Sequence, residues 1–328
     1  MGPSPFCEPE GLILRLRPLA LASTVAVTAL LLAGCSGAQD TSDASDSKGS
    51  ADACEQVAAP GALTDSVDVS GDFGQPAKIT VAKDQKVDEV QRTVVTEGTG
   101  EKVEEGDYIA YAMSAFDSKT GEHLGDLGYA EGELLPQDAL ANQALAEAIG
   151  CAPIGTRVAF ALPASDGADS QLYIIDVLDK VPTAAWGENQ EPVDGMPVVT
   201  LARDGEPAVE VPSADAPAEL EISVLKQGDG PAVADGDTTL LQYYGVDWES
   251  GESFDSSWSK GAPYAAPGNT YVPGFVQALA GQTVGSQVLV VIPPELAYGE
   301  DPEGHELGGK TLVFVIDILA TQHAPAAQ

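Results

Sequence analysis

A group of aromatic side chains around one carboxylate is the part of this sequence best suited to chemistry. The stretch from Gln242 to Trp258 reads as a strand, a turn and the edge of a second strand, and it carries Tyr243, Phe254 and Asp255. This density is unusual in a chain of which only 6% is aromatic. Aromatic rings beside one or two polar groups are typical of an apolar pocket that orients a ligand without covalent chemistry. We therefore predict a ligand pocket at this hairpin.

The sequence lacks the usual signatures of covalent, metal and phosphate chemistry. Its three histidines are His123, His305 and His323, and none has a Cys or a second His at ligand spacing, so we predict no metal site. It has neither a Gly-x-Ser-x-Gly elbow nor a phosphate-binding loop, and nothing indicates a cofactor. Acidic residues outnumber basic residues 51 to 15, which gives a formal net charge of −36. A charge of this sign argues against nucleic acid as a partner.

The first 35 residues are typical of a secretory leader. Arg15 and Arg17 precede an apolar run over 19–33, which is short for a membrane span of about 20 residues. The run ends in Leu32-Ala-Gly-Cys35, which resembles a bacterial lipobox, in which the cysteine receives a diacylglyceryl group. We expect 1–35 to be a lipoprotein signal peptide, Cys35 to be lipidated, and the protein to lie on the extracytoplasmic face of a bacterial cell membrane, attached only through lipid. An uncleaved anchor or ordinary secretion is the alternative.

The two remaining cysteines are predicted to form a disulfide. Residues 36–53 are polar and acidic and form a flexible tether. Beyond the tether, Cys54 and Cys151 would both face an oxidising compartment, where disulfides persist. Such a bridge would stabilise the protein by roughly 3–5 kcal/mol in the chain-entropy model. The alternative is two free, buried thiols.

An internal repeat divides the rest of the chain into two units. The first unit covers 54–182, a linker covers 183–197, the second unit covers 198–321, and 322–328 form a tail. Most matching segments share one offset of 130 residues, as Val233–Asp237 against Val103–Asp107 shows. The patterns predict an α+β fold in each unit, with an antiparallel sheet and one short helix.

The elements of the units can be placed approximately. In the first unit we predict a helix from Asp138, as N-cap, to Ile149, with Gly150 at its C-terminal cap. The predicted strands of this unit cover 77–81, 91–96, 107–114, 157–162 and 171–178. Short strands at 198–201 and 208–211 begin the second unit.

The second unit, over roughly Ala218 to Ala320, resembles the FKBP-type peptidyl-prolyl isomerases, the immunophilins that bind macrolides. The resemblance rests on the motifs Gly251-Glu-Ser-Phe-Asp-Ser-Ser257, Val272-Pro-Gly-Phe-Val-Gln-Ala-Leu279, Ile292-Pro-Pro-Glu-Leu-Ala-Tyr-Gly299 and Thr311-Leu-Val-Phe314. With the repeat, it implies two tandem FKBP-like domains, each an antiparallel sheet wrapped around one short helix.

The resemblance also assigns roles to residues of the second unit. Asp255 would hydrogen-bond Tyr243, Tyr298 would offer its phenol to the substrate carbonyl, and Val272 would offer a backbone N–H. Phe275 would be the floor of the pocket, at a position where the family usually has Trp. The implied catalytic residues are Tyr243, Asp255 and Tyr298, and the implied substrate-binding residues are Phe254, Tyr264, Val272, Phe275 and Phe314.

The implied reaction is rotation about Xaa–Pro bonds, which crosses a barrier of roughly 18–20 kcal/mol. An apolar cavity shaped to the twisted bond binds the transition state preferentially. The implied partners are proline-containing unfolded or nascent secreted polypeptides, together with macrolide ligands. The alternative is a proline-peptide-binding chaperone or a scaffold module without significant catalysis. It stays open because Phe275 replaces Trp and because the loop Glu300–Gly309 is acidic; in that loop we expect His305 to be solvated.

The first unit is predicted to have lost the pocket. At the offset of 130, Met113, Leu124, Gly125 and Leu145 stand opposite Tyr243, Phe254, Asp255 and Phe275. Only Tyr173 keeps an aromatic ring, opposite Phe314. We interpret this unit as a degenerate copy without activity that serves as a spacer or as a peptide- or partner-binding surface.

Overall fold

The computed structural model describes residues 54–82, 85–165 and 168–324. The predicted leader 1–35 with Cys35, the predicted tether 36–53 and residues 325–328 lie outside this part of the chain. Within the described ranges, no helix combines the length and the apolar character needed to cross a membrane.

The first unit is an antiparallel sheet that follows a short helix and a hairpin. Its elements are α1 (Ala62–Ser66), β1 (Asp68–Ser70), β2 (Lys78–Thr80), β3 (Gln91–Thr96), β4 (Tyr108–Asp117), β5 (His123–Leu127), β6 (Gln137–Asp138), α2 (Gln143–Ala148), β7 (Arg157–Leu162) and β8 (Gln171–Val181). The sheet has the strand order β3-β7-β8-β4-β5, and β6 pairs with β4. The hairpin β1–β2 is a separate two-stranded sheet.

The second unit repeats this plan. Its elements are β9 (Glu188–Asn189), β10 (Val198–Leu201), β11 (Pro207–Glu210), β12 (Glu221–Gln227), β13 (Thr238–Asp247), β14 (Ser253–Ser256), α3 (Ser257–Lys260), β15 (Tyr264–Pro267), α4 (Pro273–Leu279), β16 (Gln287–Ile292) and β17 (Leu312–Gln322), with 3₁₀ turns at Gly268–Thr270 and Pro294–Leu296. The sheet order is β14-β13-β17-β16-β12-β9, with β15 on β13. The predicted α+β tandem arrangement is confirmed.

The central strands of the second sheet are apolar on both faces because both faces are covered. All six residues of β16 are buried, whereas alternation of polar and apolar residues is expected only where one face meets water. On the inner face, α4 places Phe275 and Leu279 in one cluster with Val290 and Ile292. A Cβ on Gly274 would lie 2.4 Å from Cγ2 of Ile292. Glycine at this position therefore lets the helix approach the sheet closely.

A hairpin covers the outer face of each sheet. Val199 and Val209 of β10–β11 belong to the cluster that includes the outward residues of β16 and β17. In the first unit, Leu63 of α1 and Val69 and Ile79 of β1–β2 cover β7 and β8 in the same way. The repeat therefore extends to these hairpins, which precede the segments that were matched in the sequence. The related tetrapeptides Gly74-Gln-Pro-Ala77 and Gly205-Glu-Pro-Ala208 are the signal that could have shown it.

The two sheets share even their irregularities. The pairing of β4 with β8 shifts register between Ala110 and Tyr111, and that of β13 with β17 shifts between Leu240 and Leu241. These positions differ by the repeat offset, since 240 minus 110 is 130. Bulges recur at equivalent positions only when the backbone path itself is repeated.

The predicted start of the first unit's helix is wrong. Helix α2 begins after Asn142, whose side chain accepts a hydrogen bond from the N–H of Leu145 at 3.3 Å. Asp138 instead lies in β6 and pairs with Tyr108, while its carboxylate accepts from the N–H of Ala141 at 3.0 Å. Both Asp and Asn are good N-cap residues, and strand pairing with β4 decided between them.

The segment predicted as a linker contributes to the second sheet. Its strand β9 pairs with β12. The N–H of Gly187 donates to the carbonyl of Gly285 at 2.9 Å, and the N–H of Ala185 donates to the carboxylate of Asp317 at 2.8 Å. These contacts hold 185–189 against the second unit.

The predicted disulfide between Cys54 and Cys151 is present, with a Cα–Cα distance of 5.1 Å. The two cysteines are 97 positions apart in the sequence, so the bridge closes a long loop. The bridge fastens the start of the described chain to the turn between α2 and β7, consistent with the N–H of Ala58 donating to the carbonyl of Glu147 at 2.9 Å.

The two units contact each other through a small apolar cluster. Leu135 of the first unit is buried with Leu240 and Leu319 of the second unit. Beside it, the N–H of His323 donates to the carbonyl of Gly132 at 2.8 Å. The loop between β5 and β6 therefore lies against the ends of β13 and β17.

Candidate active site

A cavity of about 220 Å³ opens on the inner face of the second sheet. All eight predicted site residues line it, and so do two residues that the sequence analysis did not single out, Thr270 and Tyr271. The full lining consists of Tyr243, Phe254, Asp255, Tyr264, Thr270, Tyr271, Val272, Phe275, Tyr298 and Phe314. The cavity is smaller than the roughly 300–1,000 Å³ of pockets for drug-sized ligands, and its size suits one or two residues of a peptide.

Two buried phenylalanines form the base of the cavity. Phe275 is 4% exposed and Phe314 is 6% exposed, and their rings meet edge to face with centroids 5.2 Å apart. Phe254 stands edge-on to Phe314 at 5.5 Å. A Cβ on Gly245 would lie 2.7 Å from Phe254 Cζ and 2.9 Å from Phe314 Cε1. The absence of a side chain at Gly245 therefore makes room for this aromatic pair.

Tyr271 completes the floor beside Phe275. The two rings are stacked, with centroids 4.7 Å apart and planes inclined by 27°. The Tyr271 hydroxyl lies 3.4 Å from the Thr239 hydroxyl, and burial raises the pKa of this phenol to about 12. The floor thus comprises Phe275, Phe314 and Tyr271, with Tyr271 stacked on the residue that stands where the family usually has Trp. In the sequence, Tyr271 could have been identified because it directly precedes Val272, the first residue of a motif on which the resemblance rests.

The polar edge of the cavity is built around Asp255. The Tyr243 hydroxyl donates to Asp255 Oδ2 at 2.8 Å, as the resemblance implied, and the N–H of Ser256 donates to Oδ1 at 2.9 Å. Burial acts to raise the pKa of the Asp255 carboxyl, but hydrogen bonds from Lys260 and Tyr243 outweigh it and hold this pKa below its ordinary value. Burial also raises the pKa of the Tyr243 phenol. The edge therefore presents a carboxylate and a neutral phenol.

Lys260 is a member of this group that the sequence analysis missed. Its Nζ lies 2.6 Å from Asp255 Oδ1 and 2.8 Å from the Tyr243 hydroxyl. It also lies 5.3 Å from the centroid of the Tyr243 ring, which is within cation–π range. Lys260 could have been identified in the sequence as a basic residue five positions after Asp255 and directly before Gly261.

Tyr298 stands at the rim and is paired with His305. Tyr298 is 41% exposed, and its ring is stacked on the imidazole with centroids 4.0 Å apart and planes inclined by 2°. His305 Nδ1 accepts a hydrogen bond from the N–H of Leu307 at 3.1 Å, so the neutral ring carries its hydrogen on Nε2. His305 was expected to be solvated; it is exposed, yet it also orients Tyr298. Burial raises the pKa of the Tyr298 phenol, which keeps it a donor.

The remaining lining residues close two sides of the cavity. Tyr264 at the start of β15 lies edge-on to Tyr243, with ring centroids 6.0 Å apart. Val272 caps the N-terminus of α4, and its carbonyl accepts from the N–H of Phe275 at 3.0 Å. The N–H of Val272 donates to no other residue in the part of the chain that the structure describes. This amide is therefore available to a ligand.

Trp258 does not belong to the cavity, although it lies in the hairpin sequence that predicted the site. It is part of the short helix α3 and not of a strand. Its indole lies 3.3 Å from the position that a Cβ on Gly205 would occupy. Trp258 therefore packs against the turn of the hairpin β10–β11.

The corresponding region of the first unit has no aromatic wall. Gly125 pairs with Ala115 as Asp255 pairs with Gly245, so the offset of 130 holds in space. Leu124, opposite Phe254, is 51% exposed. The Tyr173 hydroxyl donates to the side chain of Gln171 within its own strand. The residues at these positions of the first unit do not form a copy of the aromatic cavity.

Comparisons with known proteins point to one family. A model of the FKBP-type peptidyl-prolyl cis-trans isomerase family matches residues 230–319. A probable FK506-binding protein from Corynebacterium glutamicum is 41% identical over 114 residues, which are 35% of this chain and 97% of that protein. An FK506-binding protein from Streptomyces anulatus is 37% identical over 121 residues, which are 35% of this chain and 95% of that protein. A crystal structure of FkpA from Escherichia coli is similar at 29% identity and a TM-score of 0.30, over 40% of this chain and 54% of that chain.

Proposed function

The chain belongs to the FKBP-type peptidyl-prolyl cis-trans isomerase family, and we propose that its second unit catalyses rotation about Xaa–Pro bonds in the cavity lined by Tyr243, Asp255 and Tyr298. The observation that carries this proposal is the convergence of side chains from six separate segments on one cavity. Its floor is apolar and buried, and its rim holds a hydrogen-bonded carboxylate and a phenol donor. The matched family region, 230–319, contains every residue of this lining.

The chemistry requires no covalent intermediate. Amide resonance gives the Xaa–Pro bond a barrier of roughly 18–20 kcal/mol, and the uncatalysed rotation takes tens to hundreds of seconds. A twisted amide has lost resonance and is less polar than a planar one. A cavity floored by Phe275 and Phe314 removes water from the prolyl ring and favours this less polar state. Binding the twisted state more tightly than the planar state lowers the barrier.

The polar groups at the rim would hold the peptide in position. The exposed Tyr298 phenol donates to the substrate carbonyl, and the Val272 N–H, which has no partner among the described residues, donates to the following peptide group. Asp255 and Tyr243 place a fixed negative charge along the opposite edge. Preorganised donors and dipoles of this kind act without reorganising during the reaction.

The wider role we propose is assistance to the folding of extracytoplasmic proteins by a lipid-anchored enzyme. Support comes from the leader with its lipobox-like Leu32-Ala-Gly-Cys35. The Cys54–Cys151 disulfide also fits an oxidising compartment. Clients would be proline-containing unfolded or nascent polypeptides, and the first unit would act as an inactive spacer or binding surface. Labelling with palmitate and cell fractionation would test the anchor; a Cys35→Ala variant that labels and fractionates like the original chain would contradict it.

An isomerisation assay on a Xaa–Pro tetrapeptide tests the activity. We expect the full chain, purified in detergent, to accelerate isomerisation, and Tyr298→Phe, Asp255→Ala and Phe275→Ala to weaken that acceleration. Lys119→Met, in an exposed ion pair of the first unit, is a matched control. Peptide binding without acceleration by the unmutated chain would overturn the isomerase proposal and favour a proline-peptide chaperone. Added FK506 tests whether this cavity binds macrolides as its relatives' names indicate for them.

A further inference from the structure

We propose that the first unit binds an extended segment of a partner polypeptide at an open strand edge, formed by Val94–Glu97 at the end of β3 together with Gly155. The partner segment adds to the sheet as a further strand and carries an aromatic residue, then glycine, then a basic residue. This inference deepens the binding role proposed for the first unit, and it does not depend on catalysis in the second unit.

In the second unit, the chain itself fills the equivalent edge. Strand β9 pairs with β12, where Glu188 stands beside Gln227. The N–H of Gln190 donates to the carbonyl of Leu225 at 2.8 Å. A short extended segment thus adds to the outermost long strand of this sheet, which is the geometry by which sheet edges bind peptides.

An aromatic residue and a glycine fasten that segment. The N–H of Gly187 donates to the carbonyl of Gly285 at 2.9 Å, and a Cβ on Gly285 would lie 2.9 Å from the indole of Trp186. A Cβ on Gly187 would lie 2.4 Å from the backbone carbonyl of Gln227. The site therefore takes a flat ring over one glycine and admits no side chain at the following residue.

The backbone of this edge is the same in the first unit. The pairing of β3 with β7 shifts register between Val94 and Thr96, and that of β12 with β16 shifts at the equivalent residues, since 224 minus 94 is 130. Gly155 and Gly285 both have a φ of +92°. A segment that fits the edge of the second unit therefore finds the same backbone path on the first unit.

The edge of the first unit is nevertheless exposed. Strand β3 ends its sheet, and among the described residues no strand pairs with its outer side. Val94 is 40% exposed and Val95 is 37% exposed, whereas Leu225, the equivalent of Val95, packs against the outer cluster of the second unit. Gly155 is partly exposed, whereas Gly285 is buried. Apolar strand edges are normally covered or charged, so these valines indicate a surface that a partner covers.

The start of the described chain covers only the first half of β3. The N–H of Arg92 donates to the carbonyl of Ala59 at 2.9 Å. Beyond this contact, a groove of about 350 Å³ is lined by Val94, Glu97 and Ile149, among others, and reaches the disulfide. The groove offers apolar room for a side chain of the added strand.

The charge of the edge selects the partner. Glu97 stands at the position equivalent to Gln227, which is the residue beside Glu188 in the second unit. Opposite charges on neighbouring strands are favourable, and like charges directly opposite are unfavourable. The open edge therefore favours a basic residue where the chain's own segment has Glu188, and it disfavours that same segment when a second copy offers it.

The experiment measures the binding of fluorescein-labelled peptides to the full chain, purified in detergent, by fluorescence polarisation. One peptide has the sequence of residues 184–190, and the other carries Glu188→Lys. Neither contains proline, so the isomerase cavity has no prolyl ring to bind. We expect saturable binding of the Glu188→Lys peptide and about two- to fivefold weaker binding of the unchanged one. Adding Trp186→Ala to the Glu188→Lys peptide should weaken its binding about tenfold or more.

Variants of the chain locate the binding. Val95→Lys places a charge on the open edge and should weaken binding of the Glu188→Lys peptide about fivefold or more. Leu124→Lys is the matched control, because Leu124 is 51% exposed on β5 at the opposite edge of the same sheet, and it should bind like the unmutated chain. Glu97→Gln should remove most of the difference between the two peptides. Amide exchange in the Val94–Glu97 backbone should slow when the peptide is bound.

Four results would overturn the proposal. An unmutated chain that does not bind the Glu188→Lys peptide is the first, and if a chain lacking residues 1–53 then bound it, the chain's own preceding segment would be the occupant. Equal weakening by Val95→Lys and Leu124→Lys would place the binding elsewhere. Self-association that disappears in Val95→Lys would make a second copy the occupant. An unchanged peptide preference in Glu97→Gln would remove the charge argument. Absence of isomerase activity would not affect these readings, because none of them uses catalysis.

Discussion

Tyr271 lies face to face with Phe275, and both rings line the floor of the cavity. The family usually places a single Trp at the position of Phe275. In this chain the ring of Tyr271 occupies the space on one face of Phe275. The identity of Tyr271 is therefore coupled to that of Phe275, although only Phe275 stands out in the motif.

This coupling predicts that restoring the usual Trp will not work by itself. Phe275→Trp should destabilise the second unit by about 1–3 kcal/mol, because the larger ring must displace Tyr271 from a packed site. Adding Tyr271→Val should recover most of that loss. Urea unfolding of both variants measures it. A single variant as stable as the original chain would show that the two rings are not coupled.

Gly245 predicts a second effect on the cavity. Gly245→Ala places a methyl group less than 3 Å from Phe254 and Phe314, so one of these rings must move. We expect the free energy of unfolding to fall by about 1–3 kcal/mol. We also expect kcat/KM to fall by more than it does in a control variant with the opposite change in the first unit. That control is Ala115→Gly, at the equivalent position of β4. Similar kcat/KM values for the two variants would contradict the steric argument.

His305 should matter through Tyr298. His305→Ala removes a stacked ring, and aromatic pairs contribute about 0.5–1.5 kcal/mol beyond their buried area. We expect a severalfold lower kcat/KM, because the exposed phenol would sample more orientations. His305→Phe keeps the stack and should retain activity. In a Tyr298→Phe background, His305→Ala should have little further effect, and a full additional loss would place His305 in a separate role.

A buried ion pair predicts a stability effect confined to the first unit. Arg157 donates to the fully buried carboxylate of Asp176 at 2.5 Å. The equivalent carboxylate in the second unit, Asp317, accepts instead from the neutral side-chain amide of Gln287 at 2.7 Å. Arg157→Met should cost about 3–5 kcal/mol because it leaves a charge unpaired. Gln287→Met removes a neutral donor and should cost less, about 1–3 kcal/mol. Calorimetry of both variants ranks them; the reverse ranking would contradict the charge argument.

The disulfide should stabilise the first unit without supporting activity directly. Cys54→Ala/Cys151→Ala should destabilise the first unit by about 3–5 kcal/mol. It should leave kcat/KM within about twofold, because the cavity lies wholly on the second unit and small changes far from a site usually add independently. Thermal unfolding and the peptide assay on the same sample measure both. A large loss of activity at temperatures where the first unit stays folded would show that the bridge supports the cavity.

Much of the fold follows from local sequence pattern. Strands β3 and β7 begin and end at the predicted residues, and the offset of 130 predicted equivalent strands in the two units. The start of α2 did not follow, because pairing of Asp138 with Tyr108 overrode its capping preference. Strand β9 did not follow either, since a two-residue strand exists only through its partner β12.

The sequence by itself determined the fold class and the duplication, because the repeated pattern of strands and turns is local, and it indicated eight residues of the cavity through motifs that resemble those of the family. Tertiary structure decided which further side chains meet them. Lys260 contacts Asp255 through the single turn of α3, Tyr271 stacks on Phe275 across the start of α4, and His305 stacks on Tyr298 through the folded loop. Contacts of this kind depend on distances across loops, and these distances are set by packing and not by the local preferences of the residues concerned.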